Sequence, residues 1–278
     1  MIVAAAAPYT RRVSQARGSS IAYLLSHRRL LFRVTRTEVQ TRYAGSHLGV
    51  GWAFVGPFFV LAIYALVYLE IFRVRVTGLT GREYVIYIFT GLVPYLATAE
   101  ALGSGVVSVI ANKSVLNNTV FPIDLAPVKA VLSAQLTMVV GLFVVVLGAI
   151  LTGNVHKTLV LLPVVWLLNV LWLIGVNWFI SLLNVIFRDL QNLISLILMI
   201  MFVVSPIAFT PDMVPSNLRI LLAFNPFAYF VVAYQQVVML GIWPSAPHMI
   251  ALIVMSLATF GLGGWFFYRA KQVIVDYV

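Results

Sequence analysis

The residues that could carry out chemistry in this chain are few and widely separated. Its 278 residues include eight carboxylates, four histidines and no cysteine. A catalytic site needs acids, histidines or a nucleophile with its base in one place, yet the chain has neither an HExxH motif nor paired carboxylates. It also lacks the GxxxxGKS or GxxxxGKT loop that binds nucleotide phosphates. We therefore predict no catalytic residue, no metal site and no cofactor in this chain, and any uphill transport must draw energy from a partner or an ion.

One carboxylate, Glu100, stands inside a long apolar stretch, with Pro94 before it and Gly103 and Gly105 after it. A carboxylate within a membrane is costly and normally faces the bundle interior or water. It either belongs to a translocation path or proton site, or is a structural acid that pairs with a neighbouring helix or lies near the inner interface.

A second group of polar residues follows helical spacing along a later apolar stretch. Such a stripe either hydrogen-bonds sugar hydroxyls while an indole stacks on a ring, or bonds to a neighbouring helix, which is the commoner use of Asn and Ser in membranes. Its members are Trp166, Asn169, Asn177, Ser181 and Asn184.

Residues 28–43 have the pattern of an amphipathic helix on a membrane surface. Arg29, Arg33, Arg36 and Gln40 recur every three or four residues, and the opposite side is predicted to carry the remaining, largely apolar set: Leu31, Phe32, Thr35, Val39 and Tyr43. Lipid phosphate or a protein partner would meet the charged side. The helix leads directly into an apolar span that begins at Trp52.

A short polar loop, NKSVLNNTVFP, links two later apolar stretches and ends in a Phe-Pro pair that stops a helix. It is either a plain connector or a rigid projection that docks on a cytosolic partner, with Arg188 and Asp189 bracing the same surface. The docking candidates are Asn112, Lys113, Ser114, Val115, Leu116, Asn117, Asn118, Phe121 and Pro122.

The elements that must position these residues are membrane helices. Apolar residues make up 62% of the chain and charged residues only 9%, and the mean hydropathy is +1.02. The net charge of +10 does not indicate nucleic acid, because 8 of the 18 Lys and Arg residues precede residue 52, where they would flank the first span on the cytoplasmic side.

We predict an all-α, polytopic membrane protein with six spans and an N-terminal interfacial helix. Residues 1–51 form a cytoplasmic N-terminal region, 52–268 the transmembrane domain and 269–278 a cytoplasmic tail. With both termini inside, cytoplasmic segments hold 13 Lys and Arg residues and outer segments hold 5, as the positive-inside rule requires. The predicted spans are 52–72, 84–110, 125–151, 158–186, 190–209 and 248–268.

The segment 210–244 is apolar enough for a seventh span, but Pro226 divides it. The longer piece, 227–240, would be about 21 Å long as a helix and is too short to cross. We predict a re-entrant pair of short helices on the outer face.

Together these features resemble the membrane (permease) subunit of bacterial ABC exporters for lipid-linked polysaccharides such as O-antigen and teichoic acid. The resemblance covers nearly the whole chain, and its motifs are fairly specific in their order and placement. The matching residues are Arg42, Tyr43, Ser46, Leu48, Gly49, Trp52, Pro57, Phe121, Pro122, Arg188, Asp189, Ser205, Pro206, Ile207, Asn225, Pro226 and Pro244.

The resemblance implies a location in the bacterial cytoplasmic (inner) membrane and an assembly of two identical permeases with two copies of a separate ATPase, which would bind ATP and Mg. Residues 112–122 would be the coupling helix and residues 28–43 an interfacial helix at the inner mouth of the channel. The implied substrate is a long glycan on an undecaprenyl diphosphate or other lipid carrier. On charge and position, Arg33, Arg36 and Arg42 are candidates for contacting that diphosphate, and lipid head-group anchoring is the alternative.

Two other functions remain open at this point. One is an exporter of drugs or small lipids built on the same six-span plan. The other is a polytopic glycan-modifying enzyme that uses Glu100 and the polar stripe.

Overall fold

The structure, a computed structural model, describes residues 20–42, 44–71, 79–112 and 122–274. All regular structure in these ranges is helical. The helices are α1 (Ser20–Ser26), α2 (Arg28–Arg42), α3 (Trp52–Leu66), α4 (Gly81–Val106), α5 (Ser108–Ala111), α6 (Leu125–Leu151), α7 (Leu162–Ile186), α8 (Leu190–Val204), α9 (Arg219–Ala223), α10 (Pro226–Gln235) and α11 (Ala246–Ile274).

Within the described residues, four helical segments are long and apolar enough to cross a membrane: Gly81–Val106, Leu125–Leu151, Lys157–Ile186 and Ala246–Lys271. Their 26 to 30 residues exceed the roughly 20 needed for a hydrocarbon core of about 30 Å. The chain is therefore a multi-pass membrane protein. Two further apolar helical segments, Leu190–Val204 and Pro226–Leu240, are shorter.

The first predicted span begins at the expected residue, Trp52, but its α-helical part ends at Leu66. A wider π-helical turn continues it from Val67 to Ile71. This element is not among the four long apolar helices, so the count of six spans stays a prediction.

The fifth predicted span was expected to reach residue 209, but α8 ends at Val204. Pro206 lacks an N–H and disfavours helical backbone in the residue before it. Ser205 is accordingly extended, with ψ 142°. The predicted helix was too long, because the apolar sequence continues past Val204 although Pro206 prevents the backbone from staying helical there.

Buried side chains satisfy the backbone that this break exposes, as irregular backbone at membrane depth requires. The Gln235 amide nitrogen donates to the carbonyls of Pro206 at 3.0 Å and Ile207 at 3.1 Å. The Tyr84 hydroxyl donates to the Ala208 carbonyl at 2.7 Å. The segment after α8 is thus held by polar contacts from α4 and α10.

The helix α10 starts in the middle of the bundle. The Phe227 ring lies 5.7 Å from Tyr95 and 5.6 Å from Trp172 between ring centroids, and these two residues are near the centres of α4 and α7. Beyond α10, a π-helical turn reaches Leu240, where the Thr158 hydroxyl donates to the Val237 carbonyl at 2.7 Å. The segment therefore runs from the bundle centre to the end at which α7 begins.

Replacing Asn225 with alanine is expected to reduce stability by about 1–2 kcal/mol, because the side chain caps α10. Its Oδ1 accepts from the N–H groups of Phe227 at 2.9 Å and Ala228 at 3.3 Å, and its Nδ2 donates to Ser205 Oγ at 3.0 Å. The melting temperature of the purified protein measures the loss. The same change at exposed Asn217 is the control, and equal effects at the two positions would contradict the capping role.

The core between α7 and α11 depends on glycines. A Cβ atom at Gly175 would lie 2.3 Å from the Thr259 carbonyl carbon and oxygen, and one at Gly263 would lie 2.2 Å from the Gly175 oxygen. Small residues allow membrane helices to approach this closely. The crossing fixes α11 against α7 along the bundle.

Candidate functional site

The helix α2 lies against α6 on most of the side that the amphipathic pattern predicted to be apolar, with Thr35 and Val39 partly buried. Leu31 is buried, with 5% exposure, whereas Phe32, predicted to share its apolar side, is 68% exposed. Seven and eleven residues after Leu31, close to whole helical turns, stand Glu38 and Arg42, and both form ion pairs with the bundle. The packed face of α2 is therefore partly charged.

Arg42 forms an ion pair with Glu100 of α4. The second carboxylate oxygen of Glu100 accepts a hydrogen bond of 2.6 Å from the Thr137 hydroxyl of α6. The side chains of Arg42 and Glu100 are 34% and 24% exposed. Charge and hydrogen bonding together offset the cost of placing this acid within α4.

A second ion pair joins α2 to the start of α6. Lys129 Nζ lies 2.6 Å from Glu38 Oε2 and donates to Asn112 Oδ1 at 2.9 Å. The Asn112 amide is oriented in turn, because its Nδ2 donates to the Ser108 carbonyl at 2.7 Å. Lys129 thus bridges α2 and the residue at which the predicted coupling segment begins.

In these two ion pairs α2 contributes charges of opposite sign. Along α2, the acid Glu38 precedes the base Arg42 by one turn, and the bundle presents Lys129 to the first and Glu100 to the second. A shift of α2 by one turn would bring like charges together. The charge order therefore fixes the register of α2 on the bundle.

A cavity of about 660 Å³ lies between α2 and this end of the bundle. Its guanidinium, ammonium, amide and hydroxyl groups are donors that suit a ligand rich in anionic oxygens, while one carboxylate is also present. The lining residues are Arg33, Val34, Thr37, Glu38, Thr41, Arg42, Asn112 and Lys129.

Asp124, two residues beyond the other end of the predicted coupling segment, is contacted by side chains from three helices. Its carboxylate lies 3.7 Å from Lys271 Nζ of α11, and its carbonyl accepts from Trp178 Nε1 of α7 at 2.9 Å. Burial, followed by the nearby Asp124 carboxylate, raises the pKa of the Tyr23 hydroxyl in α1 well above its ordinary value. The first and last described helices therefore meet at this end of the bundle.

Most of the predicted coupling segment lies outside the described residues. Its two edges, Asn112 and Pro122, are described, and Arg188 and Asp189 are exposed just beyond α7. Trp52, which is predicted to lie at the inner mouth, is 45% exposed at the start of α3. The predicted site residues that lie outside the described ranges are Tyr43, Lys113, Ser114, Val115, Leu116, Asn117, Asn118 and Phe121.

The polar stripe of α7 is packed among helices of the same chain. Asn169, Asn177, Ser181 and Asn184 are each at most 1% exposed, and a Cβ atom at Gly105 of α4 would lie 1.6 Å from Asn177 Oδ1. The stripe thus contacts neighbouring helices of its own chain, and a role in the translocation path stays a prediction.

The fifth member of the stripe, Trp166, is partly buried and bonds to a neighbouring span. Its Nε1 donates to Gln135 Oε1 of α6 at 2.7 Å. Like its four companions, it stays only a predicted path residue.

Comparison with known proteins identifies the family. Residues 29–239 match the ABC-2 type transporter family. The chain belongs to this family. It is thus the membrane subunit of an ABC-2 transporter, a permease that is not itself an enzyme, and its ATPase is a separate subunit.

Individual ABC-2 relatives match most of the chain. The O-antigen export system permease protein RfbA of Klebsiella pneumoniae is 28% identical over 214 residues, which cover 76% of this chain and 81% of that protein. The protein of the same name from Myxococcus xanthus is 26% identical over 237 residues, covering 84% of this chain and 89% of its own length. The similarity is therefore not confined to one motif or one helix.

Sequence reasoning missed Glu38, Lys129 and Thr137 as parts of this ABC-2 permease site. One signal was present in the sequence, since Glu38 is the only acid in a strongly basic helix. A second was Lys129, a lone cation in the first turns of an apolar helix. Their pairing could not be read from spacing, because the two residues are 91 positions apart.

Proposed function

We propose that this chain is the permease half of an ATP-driven exporter that moves lipid-linked polysaccharide, of the O-antigen or a related type, across the bacterial cytoplasmic membrane. The observation that carries this proposal is the similarity to permeases named for O-antigen export over 76% and 84% of the chain. Two copies of the permease would pair around a channel. Two copies of the ATPase, which bind ATP and Mg, would dock on its cytoplasmic side.

The proposed topology has six spans with both termini in the cytoplasm. Its support is the meeting of α1, near the N-terminus, with the last turns of α11 at Asp124. Residues 210–244 would form the re-entrant pair on the outer face, and the course of α10 from the bundle centre outward supports this placement.

Coupling to the ATPase would occur through residues 112–122, with Arg188 and Asp189 on the same surface. Two features support this assignment. The segment connects two long helices, because it follows α4 and its short extension α5 and precedes α6. Its described edges are at the end of the bundle where α2 docks. Motion of the ATPase would enter the membrane domain here.

Substrate would enter beside α2. We propose that Arg33 and Arg42, which line the cavity, together with Arg36 contact the diphosphate of the lipid carrier, and that Tyr43 and Trp52 border the same mouth. Guanidinium groups suit this role because they bind phosphate oxygens bidentately. Beyond the mouth, Glu100 and the polar stripe of α7 are the proposed path residues.

Export by the purified complex tests this proposal. The chain is co-expressed with its ATPase, reconstituted in vesicles and supplied with lipid-linked glycan, and glycan that becomes accessible on the far side is measured. We expect ATP-dependent translocation that falls about tenfold or more when Leu116 is replaced by aspartate, since a charge would disrupt an apolar docking contact. The ATPase should also no longer co-purify.

Three results would contradict the proposal. Unchanged ATPase binding after the Leu116→Asp change would exclude docking at this segment. Modification of the glycan by the permease alone, without ATP, would instead indicate a glycan-modifying enzyme, and transport restricted to drugs or small lipids would indicate a different cargo.

A further inference from the structure

Charged and polar contacts fasten both described edges of the segment 112–122. Asn112 is bound to Lys129, which is bound to Glu38 of α2. Two residues beyond the other edge, Asp124 contacts Lys271 of α11 and Trp178 of α7. Of these connections between described residues, the first leads to α2, the helix beside the cavity.

The link to α2 runs through a single amine. Lys129 Nζ holds Glu38 Oε2 at 2.6 Å and Asn112 Oδ1 at 2.9 Å. The lysine side chain is only 12% exposed and the Glu38 side chain 33%. An ammonium this far removed from water cannot cheaply lose either partner. Displacement of Asn112 would therefore be opposed unless Lys129 and Glu38 moved with it.

The asparagine is equally constrained. Its Nδ2 donates to the Ser108 carbonyl at 2.7 Å, so Oδ1 is directed at the lysine. Ser108 lies in α5, the short helix that leads into the coupling segment. A continuous chain of hydrogen bonds and charge therefore joins α5, α6 and α2.

We infer that Lys129 is a positioning residue that ties the coupling segment to α2, so that a movement of the segment is transmitted to the helix at the inner mouth. This inference rests on the proposed function, which places the ATPase at residues 112–122. Lys129 acts through Asn112 and Glu38, not by contacting substrate. The segment 112–122 at the ATPase surface and α2 at the inner mouth would then move together.

The competing role for Lys129 is direct binding of an anionic ligand, because the side chain also lines the cavity. The two roles differ in what a charge exchange does. Exchanging the charges of Lys129 and Glu38 keeps the ion pair between α6 and α2, and the contact with Asn112 is kept when its amide turns so that Nδ2, in place of Oδ1, faces the new carboxylate. It also places a carboxylate on α6 at the position that an anion-binding role needs to be positive.

The test uses the complete transporter with its ATPase and four variants: Lys129→Glu, Glu38→Lys, the double exchange, and the conservative Lys129→Arg. Co-purification of the ATPase, ATP hydrolysis without substrate, and glycan export are measured. Lys157→Glu is the matched control. Lys157 is an exposed lysine at the start of the helical segment that contains α7, which is the end of the bundle away from Lys129.

We expect the single reversals to retain ATPase binding and substrate-free hydrolysis within about twofold while export falls about tenfold or more, because hydrolysis no longer moves α2. The double exchange should raise export at least about threefold above either single reversal, which is the signature of a direct pair in a double-mutant cycle. Full recovery is not expected, because Asn112 must give up its bond to the Ser108 carbonyl to donate to the new carboxylate. Lys129→Arg and Lys157→Glu should export normally.

Three results would overturn the inference. Normal export by both single reversals would show that the link transmits nothing. Export that stays lost in the double exchange would indicate anion binding or a purely structural role. Loss of ATPase binding in both single reversals would place Lys129 in the docking surface itself.

Failure of the proposed function looks different, since the unmodified complex would then neither bind the ATPase nor export glycan. Such a result would overturn the inference together with the function on which it rests. Because the unmodified complex is measured alongside the variants, the two failures are distinguishable.

Discussion

Gly175→Leu is expected to abolish accumulation of folded permease in the membrane. A Cβ atom at this position would lie 2.3 Å from the Thr259 carbonyl carbon and oxygen and 2.5 Å from the Phe260 nitrogen. These are backbone atoms of α11, so no side-chain rotation relieves the clash. The two helices would have to separate along the crossing that also includes Gly263, where a Cβ atom would meet the Gly175 oxygen at 2.2 Å.

The loss of stability is expected to be large because the α11 backbone itself must move. Overpacking in a core costs about 1–3 kcal/mol when side chains can shift, and more when they cannot. Even Gly175→Ala is therefore expected to cost about 3 kcal/mol or more, because the displaced neighbour is backbone. The leucine variant would exceed the whole margin of a marginally stable protein.

Gly261, two residues from both Thr259 and Gly263 on α11, provides the control. Gly261 lies on α11 with no atom within 4 Å of an added Cβ, so Gly261→Ala should leave stability unchanged or slightly raise it through better helix propensity. Membrane yield and the melting temperature of purified protein measure all three variants. Similar behaviour of Gly175→Ala and Gly261→Ala would show that the close crossing does not exist.

Glu100→Gln is expected to destabilise the docking of α2 by about 2 kcal/mol. The change keeps an acceptor for Thr137 but removes the charge that faces Arg42. Breaking a buried ion pair costs about 3–5 kcal/mol and an exposed pair contributes at most about 1. The side-chain exposures of 34% and 24% place this pair between those limits. Melting temperature and protease accessibility of α2 would report the loss.

A double variant separates the structural role of this pair from transport. Glu100→Gln combined with Arg42→Gln leaves no uncompensated charge, so stability should largely recover. Export should stay low if Arg42 contacts the substrate diphosphate, and should recover if the pair only holds α2 in place. Glu70→Ala, at an exposed acid, is the control for general effects of losing a carboxylate. Unchanged stability in Glu100→Gln would contradict the ion pair.

Hydropathy and proline positions predicted most helices, because their causes are local in sequence. The helix α6 has the predicted limits of 125 and 151, and Asn225-Pro226 marks the start of α10. The error at the end of α8 has the same origin. An apolar composition continued through residue 209, but the ring of Pro206 ended the helix regardless of hydropathy.

The candidate site was only partly predictable. Arg33, Arg36 and Arg42 stood out because cations cluster before the first span, and Glu100 because it interrupts an apolar helix. The surface that α2 packs against was not predicted, because its pattern was compared with a lipid surface. Its packed face instead meets a bundle that presents Lys129 and Glu100.

The sequence by itself determined the membrane class, the approximate helices, the absence of a nucleotide-binding loop and the resemblance to a polysaccharide export permease. These properties depend on composition and on residues a few positions apart. Only the tertiary structure decided which residues pair: Arg42 with Glu100, Glu38 with Lys129, and Gly175 with Gly263. Each pair joins helices that are 58 to 91 residues apart in the chain. Helical periodicity defines which residues share a face, but it carries no information about the helix that the face will meet.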